Sequence, residues 1–218
     1  MTLKDELEKV FHRAKDRGIR EGVRCLRGRI YSTSSYSVFR HSLETIPDVK
    51  LAESNIKLRE VTSLNDPCLH ELHRVYPPEF GPRDPNYVSR VLKERSRNGV
   101  WCFAACDQDQ LVGAFWLSPP NHWYANLDLP YLPGEYVVQN LFVVSNYRGL
   151  GVSKLLLNYG LQVAGRRAVS SVLSLIPADR TASLRAHLSL GFQIIGSFRR
   201  DRRWFKHRQS FVAAENKE

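Results

Sequence analysis

The sequence predicts a mixed α/β fold, and three stretches carry that reading. The first is an apolar, β-branched run from Tyr136 to Val144, then a polar glycine turn from Ser145 to Gly151, then Val152, Leu155, Leu156 and Tyr159 at helical spacing. The second is a short buried-type strand, Ser171 to Ile176, followed by Arg180 to Phe192, which reads as a short helix closed by Gly191. The third is a pair of apolar runs, Val100 to Cys106 and Leu111 to Leu117, around Asp107-Gln-Asp-Gln110, a β-hairpin signal.

Composition bounds the answer. A chain of 218 residues with 43% hydrophobic and 11% aromatic residues suits one well-buried domain plus an extension. No apolar run reaches the length that spans a bilayer, and the first residues lack the pattern of a signal peptide, so a cytoplasmic location is expected. Cys25, Cys68, Cys102 and Cys106 show no zinc spacing with a second Cys/His pair and read as reduced thiols; no metal is expected. The net charge of +10 calls for a polyanionic partner without naming one.

Residues 1–50 read as a basic amphipathic extension. Leu3, Leu7, Val10, Phe11 and Ala14 form one helical stripe, and Arg13, Arg17, Arg20, Arg24, Arg27 and Arg29 decorate the other faces. Two readings stand side by side: peripheral contact with an anionic membrane surface or acidic partner, and packing on the chain's own domain or on the mate in a homodimer. Tyr36 to Leu43 is expected to add an edge strand, and Pro47 to Asn55 a linker.

From Ile56 the elements follow in order. Ile56 to Val61 alternates as a strand, Asp66 caps a helix with Pro67 in its first turn, and Tyr76 to Pro82 is loop because of its three prolines. Pro85 to Arg97 reads as a second helix. Ser118 to Gly134 is a long aperiodic connection rich in Pro, Asn, Trp and Tyr, the kind that carries function. Its His122, Trp123, Tyr124, Asp128 and Tyr131 are candidates to line an acceptor pocket, in which flat rings would stack on Trp and Tyr. Phe192 to Phe198 and Trp204 to Phe211 predict a hairpin with Arg199 to Arg203 as its turn, and residues 213–218 a disordered tail. The aromatics there follow a strand pattern rather than a stacking platform, so nucleic acid is not an expected partner.

Strand, glycine loop and helix together aim backbone N–H groups and a positive helix end at an anion. The nucleotide P-loop pattern is absent. The dinucleotide fingerprint fails too, because position 154 is Lys154 and no acid stands about 20 residues further on. What remains is Arg148-Gly-Leu-Gly-Val-Ser153, which resembles the Arg/Gln-x-x-Gly-x-Gly/Ala signature of the GNAT superfamily of acyl-CoA N-acyltransferases. Ser153 stands where Gly or Ala is usual. Arg180-Thr-Ala-Ser183, with Gly191-Phe192, resembles the closing element of that family, with Arg180 in place of Asn and His187 in place of Tyr.

The resemblance covers about residues 56 to 212 and implies a GNAT fold, α/β (α+β), with a central mixed sheet of about six to seven strands flanked by helices. It implies acetyl-CoA, or another acyl-CoA, as co-substrate. The cofactor-binding residues it implies are Leu141, Phe142, Val143, Arg148, Gly149, Leu150, Gly151, Val152, Ser153, Arg180 and Ser183. On the acceptor side it implies Tyr76, Glu79 and Phe80, and His122 and Tyr124 join them from the long loop. Transfer to an amine needs a base, an oxyanion donor and a route for the thiolate. Glu135 matches the position of a catalytic glutamate in histone-type members, the backbone of Phe142 or Val143 would face the oxyanion, and His187 would be the acid.

The function expected is direct transfer of acetyl to a primary amine of a small-molecule or sugar acceptor. Alternatives left open are a different acyl donor, a hydroxyl acceptor, a protein- or RNA-linked acceptor, and a non-catalytic module that binds coenzyme A or nucleic acid.

Overall fold

The computed structural model describes residues 31–49, 55–63, 66–70, 72–75, 99–120, 126–203 and 206–215, with Asn86, Ser89, Arg90 and Lys93 as isolated helical positions. The strands are β1 (Tyr31–His41), β2 (Ile56–Val61), β3 (Trp101–Asp107), β4 (Gln110–Ser118), β5 (Tyr136–Val143), β6 (Val172–Pro177), β7 (Gln193–Arg203) and β8 (Lys206–Ala213). The helices are α1 (Pro67–His70), α2 (Leu72–Val75), α3 (Val152–Arg166) and α4 (Thr181–Leu188).

All eight strands form one sheet in the order β2-β3-β4-β5-β6-β1-β7-β8. Only β5 and β6 pair in parallel, as the helical crossover between them requires. On one face α3 lays Leu156, Leu157 and Leu161 over Phe103, Phe115 and Val138. The other face carries two smaller clusters. Cys68 and Leu72 of α1 and α2 cover Cys102, Ala104, Trp116 and Phe142, and Leu129 covers Val38, Val137, Leu173 and Phe198. Among the described residues no helix is long and apolar enough to cross a membrane.

The hairpin expected between β3 and β4 is present. Gln108 and Asp109 both take positive φ, 45° and 68°, the left-handed pair that a two-residue turn needs to match strand twist. Asp66 caps α1 as expected: its carboxylate accepts from the Cys68 amide at 2.9 Å.

Two expectations are corrected. The strand at Tyr36 to Leu43 is not an edge: β1 runs from Tyr31 to His41 in the interior of the sheet, between β6 and β7. Val38 and Phe39 are fully buried there, each worth about 1.5–3 kcal/mol of burial. This strand brings the sheet to eight rather than six or seven. The second correction concerns Arg199 to Arg203, which are not a turn but the end of β7, paired with Tyr31 to Ser35 on one side and Lys206 to Ser210 on the other. Arg199 and Arg200 are exposed there, so a charge-rich segment runs on as strand at the solvent face instead of turning. The helical stripe expected over residues 3–14, the loop at 76–82 and most of the helix at 85–97 lie outside the described residues.

Candidate active site

The site is built from an opening in the sheet. β5 and β6 pair only at Tyr136 with Val172 and Val137 with Leu173. Beyond Val137 β5 departs from β6 and follows β4, with a register shift between Ala114 and Trp116 opposite Asn140, whose φ is 48°. An extra residue in one strand bends it and re-aims its backbone groups. β4 follows that bend closely at Gly113, where a Cβ would stand 2.9 Å from the Phe142 carbonyl. The result is a wedge between β5 and β6, with Leu141, Phe142 and Val143 along one wall.

At its mouth stands the glycine loop. Gly149 and Gly151 have φ of 82° and 81°, conformations that cost other residues about 1–2 kcal/mol. Gly151 is the N-cap of α3, no side chain caps that end, and no acid occupies the first turn. The first N–H groups of α3 therefore point outward beside a positive dipole end. The loop is braced from behind: Arg148 Nε donates to the Val143 carbonyl at 3.0 Å, and the Tyr147 hydroxyl donates to Asp107 at 2.9 Å, which ties the loop to the β3–β4 turn. Val152 is buried, Ser153 half-buried, and Leu150 exposed.

Glu135 sits in the interior, its side chain fully buried. Its carboxylate accepts from Arg40 Nε at 2.7 Å, Ser171 Oγ at 2.8 Å and the Leu132 amide at 3.2 Å. Arg40 also donates to the Pro130 carbonyl. These four contacts join β1, the residue that enters β5, the start of β6 and the 130–134 loop, and the three to Glu135 occupy lone pairs that a base would need.

His187 is not on the surface of α4 but buried beneath it, 1% exposed, against Phe192 at 4.8 Å and Phe39 at 6.0 Å between ring centroids. Its Nδ1 donates to the Ser183 carbonyl one turn earlier, at 2.8 Å. Burial pushes its pKa down to about 4, so at neutral pH the ring is uncharged and Nε2 carries a lone pair. Among the described residues that atom has no hydrogen-bond partner, and neither does the buried Oδ1 of Asn158 on the adjoining helix α3. The imidazolium expected as an acid is therefore the form that this environment opposes.

Arg180 is exposed at the N-cap of α4, and Ser183 is half-buried one turn on. Tyr76, Glu79, Phe80, His122, Trp123 and Tyr124 lie outside the described residues. Asp128 is exposed, with its amide donating to Gln209 at 3.3 Å, and Tyr131 packs against the Val38–Phe198 cluster. Both brace the loop on the sheet. Sequence reasoning missed Arg40, Ser171 and the buried pair of Gln139 with Ser118, whose side chains hydrogen-bond across β5 and β4. Among the described residues no group of three His, Cys, Asp or Glu could hold a metal.

The model of the acetyltransferase (GNAT) family matches residues 67–192. The chain belongs to the GNAT family. None of the curated proteins matches it, but solved structures share its fold. A GCN5-related N-acetyltransferase from Sphaerobacter thermophilus superimposes with a TM-score of 0.58 at 16% identity, over 91% of this chain and 58% of that one. A Drosophila protein gives 0.53 at 15% identity, over 85% and 56%. An N-acetyltransferase from Staphylococcus aureus gives 0.53 at 17%, over 64% and 84%. The GNAT chain thus spans a little more than half the length of the first two. At these identities the likeness is one of fold.

An acyl-CoA fits the donors and acceptors of this GNAT site. The uncapped α3 terminus offers N–H groups to a pyrophosphate, and the wedge bares strand backbone for a pantetheine arm. The orphaned Nε2 of His187 and Oδ1 of Asn158 are acceptors for which the amide N–H groups of such an arm are chemically suited donors.

Proposed function

We propose that this GNAT chain transfers acetyl from acetyl-CoA directly to a primary amine of a small-molecule or sugar acceptor. The observation that carries the reading is the uncapped glycine loop at the open end of the β5–β6 wedge. In this reading Arg148, Gly149, Leu150, Gly151, Val152 and Ser153 hold the pyrophosphate, with Arg180 and Ser183 at the opposite wall. The backbone of Leu141, Phe142 and Val143 aligns the arm, and an N–H at Phe142 or Val143 meets the oxyanion. Tyr76, Phe80, His122 and Tyr124 form the acceptor side.

The acceptor's ammonium must lose a proton before it attacks. Glu135 is held by three donors, so we assign it to anchoring the loop and give the proton to water. His187 serves as a neutral acceptor at Nε2 rather than as an acid, and the thiolate takes its proton from solvent. The chain's location in this reading is the cytoplasm.

A second reading is favoured by the same two side chains. With Glu135 paired and His187 uncharged, a module that binds coenzyme A without turnover would look like this. Native mass spectrometry with acetyl-CoA and longer acyl-CoAs, then thiol release across a panel of amines, separates the two. Binding with amine-dependent thiol release supports the transferase, binding without release under any amine supports the module, and no binding overturns both.

A further inference from the structure

A second cluster of reactive side chains lies under α1, where Cys68 meets β2 and β3. Arg59 of β2 donates through one Nη2 to both Asp66, at 2.7 Å, and the Cys68 sulfur. Cys68 and Cys106 share one buried cluster, and the β2–β3 register, Lys57 with Cys106 and Arg59 with Ala104, puts Cys106 on the same face of the sheet as Arg59. The two thiols are 1% and 4% exposed, but the Arg59 side chain that touches Cys68 is 39% exposed and leads to solvent. The Arg59 Nε–H is buried without an acceptor. A guanidinium set on one thiol beside a second thiol in the same cluster, with one donor unused, is more than packing requires.

We propose that Cys68 and Cys106 are a peroxide-oxidisable dithiol that closes into a disulfide between α1 and β3. In the first step the Cys68 sulfur attacks hydrogen peroxide. An S–O bond forms, the O–O bond breaks, and hydroxide leaves and takes up the thiol's proton as water. Sulfur is oxidised to the sulfenic state and peroxide is reduced. The spare Nε–H of Arg59 is a donor suited to the new oxygen. In the second step the Cys106 sulfur attacks the Cys68 sulfur. The S–S bond forms, the S–O bond breaks, and the departing hydroxide takes the Cys106 proton as a second water. One peroxide and two thiols give one disulfide and two waters.

The roles are ordered by environment. The Cys68 sulfur takes the Arg59 hydrogen bond, which favours it as the first to react, and burial, which pushes the Cys106 thiol up to about 12, disfavours Cys106 for that first attack. Cys102 does not compete as partner of Cys106: four residues apart on one strand, they stand about 13 Å from each other, beyond the roughly 7 Å that a disulfide spans. The bridge would pin α1 to the strand beneath it in the cluster that also holds Trp116 and Phe142, next to the wedge.

The test treats the full chain with hydrogen peroxide, blocks free thiols with N-ethylmaleimide, and reads intact mass and peptide map. We expect loss of two hydrogens, a cross-linked pair of peptides containing Cys68 and Cys106, and reversal by dithiothreitol. Cys106→Ser should abolish the bridge and leave a Cys68 sulfenate that dimedone traps, and Arg59→Gln should slow bridging several-fold. A bridge that uses Cys25 or Cys102 instead, or full alkylation of both thiols after peroxide, overturns the proposal. No variant is needed for that result, and no acyl-CoA or acceptor, so it stands apart from the fate of the transferase reading.

Discussion

Arg40→Met should destabilise this domain more than most single surface changes, because it strips the cation from a carboxylate that water cannot reach. Removing one partner of a buried ion pair costs about 3–5 kcal/mol. Two features reduce that here: the Arg40 side chain is 21% exposed, and Ser171 and the Leu132 amide remain as donors to Glu135. We expect about 2–3 kcal/mol, which at this chain length lowers the melting midpoint by roughly 5–10 °C. Urea unfolding with an unchanged m-value is the assay. Arg40→Met with Glu135→Leu should recover part of the loss, since the orphaned charge goes too, giving a coupling energy of about 1–3 kcal/mol. If Arg40→Met costs under about 0.5 kcal/mol, or the two changes simply add, Glu135 is not anchored as described and returns as a candidate base.

Two further predictions concern the glycine loop and the buried imidazole. Gly149 has open space around it, so Gly149→Ala tests backbone conformation alone; it should weaken acetyl-CoA binding in calorimetry by roughly tenfold, matching about 1–2 kcal/mol of left-handed strain. His187 holds its folded pKa near 4 against about 6.5 in the unfolded chain, so its contribution of about 3 kcal/mol is complete above pH 6.5 and is lost as pH falls from 6.5 towards 4. Urea midpoints should fall across that window, and His187→Phe should flatten the fall; an unchanged slope would show that the ring is solvated.

Much of the fold was legible because periodicity reports burial. The β3–β4 hairpin, β5, α3 and β6 bury nearly continuous apolar runs, and their lengths and turn residues identify them. The place of β1 was not legible. Tyr31-Ser-Thr-Ser-Ser-Tyr-Ser reads as polar, and a strand with so few apolar residues suggests an edge. The structure shows why it is interior: Tyr36, Val38 and Phe39 lie over core, while Ser32, Thr33, Ser34 and Ser35 pair with Arg199 to Arg202 of β7. For the same reason the arginines resembled a turn. Local composition tells whether a face is wet, not which strands flank it.

The glycine loop was legible because its chemistry is local: five consecutive peptide units and a helix start fix where the N–H groups point. The environment of Glu135 is the opposite case. Its partner Arg40 is 95 residues away in sequence, and nothing in either neighbourhood announces the other. A motif match gave Glu135 a position on the strand, but its work depends on what else reaches that position. In this chain β1 brings a guanidinium there. The same holds for His187: its motif gives a position on α4, but burial, which pushes its pKa down, comes in part from Phe39 on that same strand. β1 thus supplies both the guanidinium that holds Glu135 and a ring that buries His187, so the same motifs on a chain without that strand would leave the carboxylate unpaired by Arg40 and the histidine less buried.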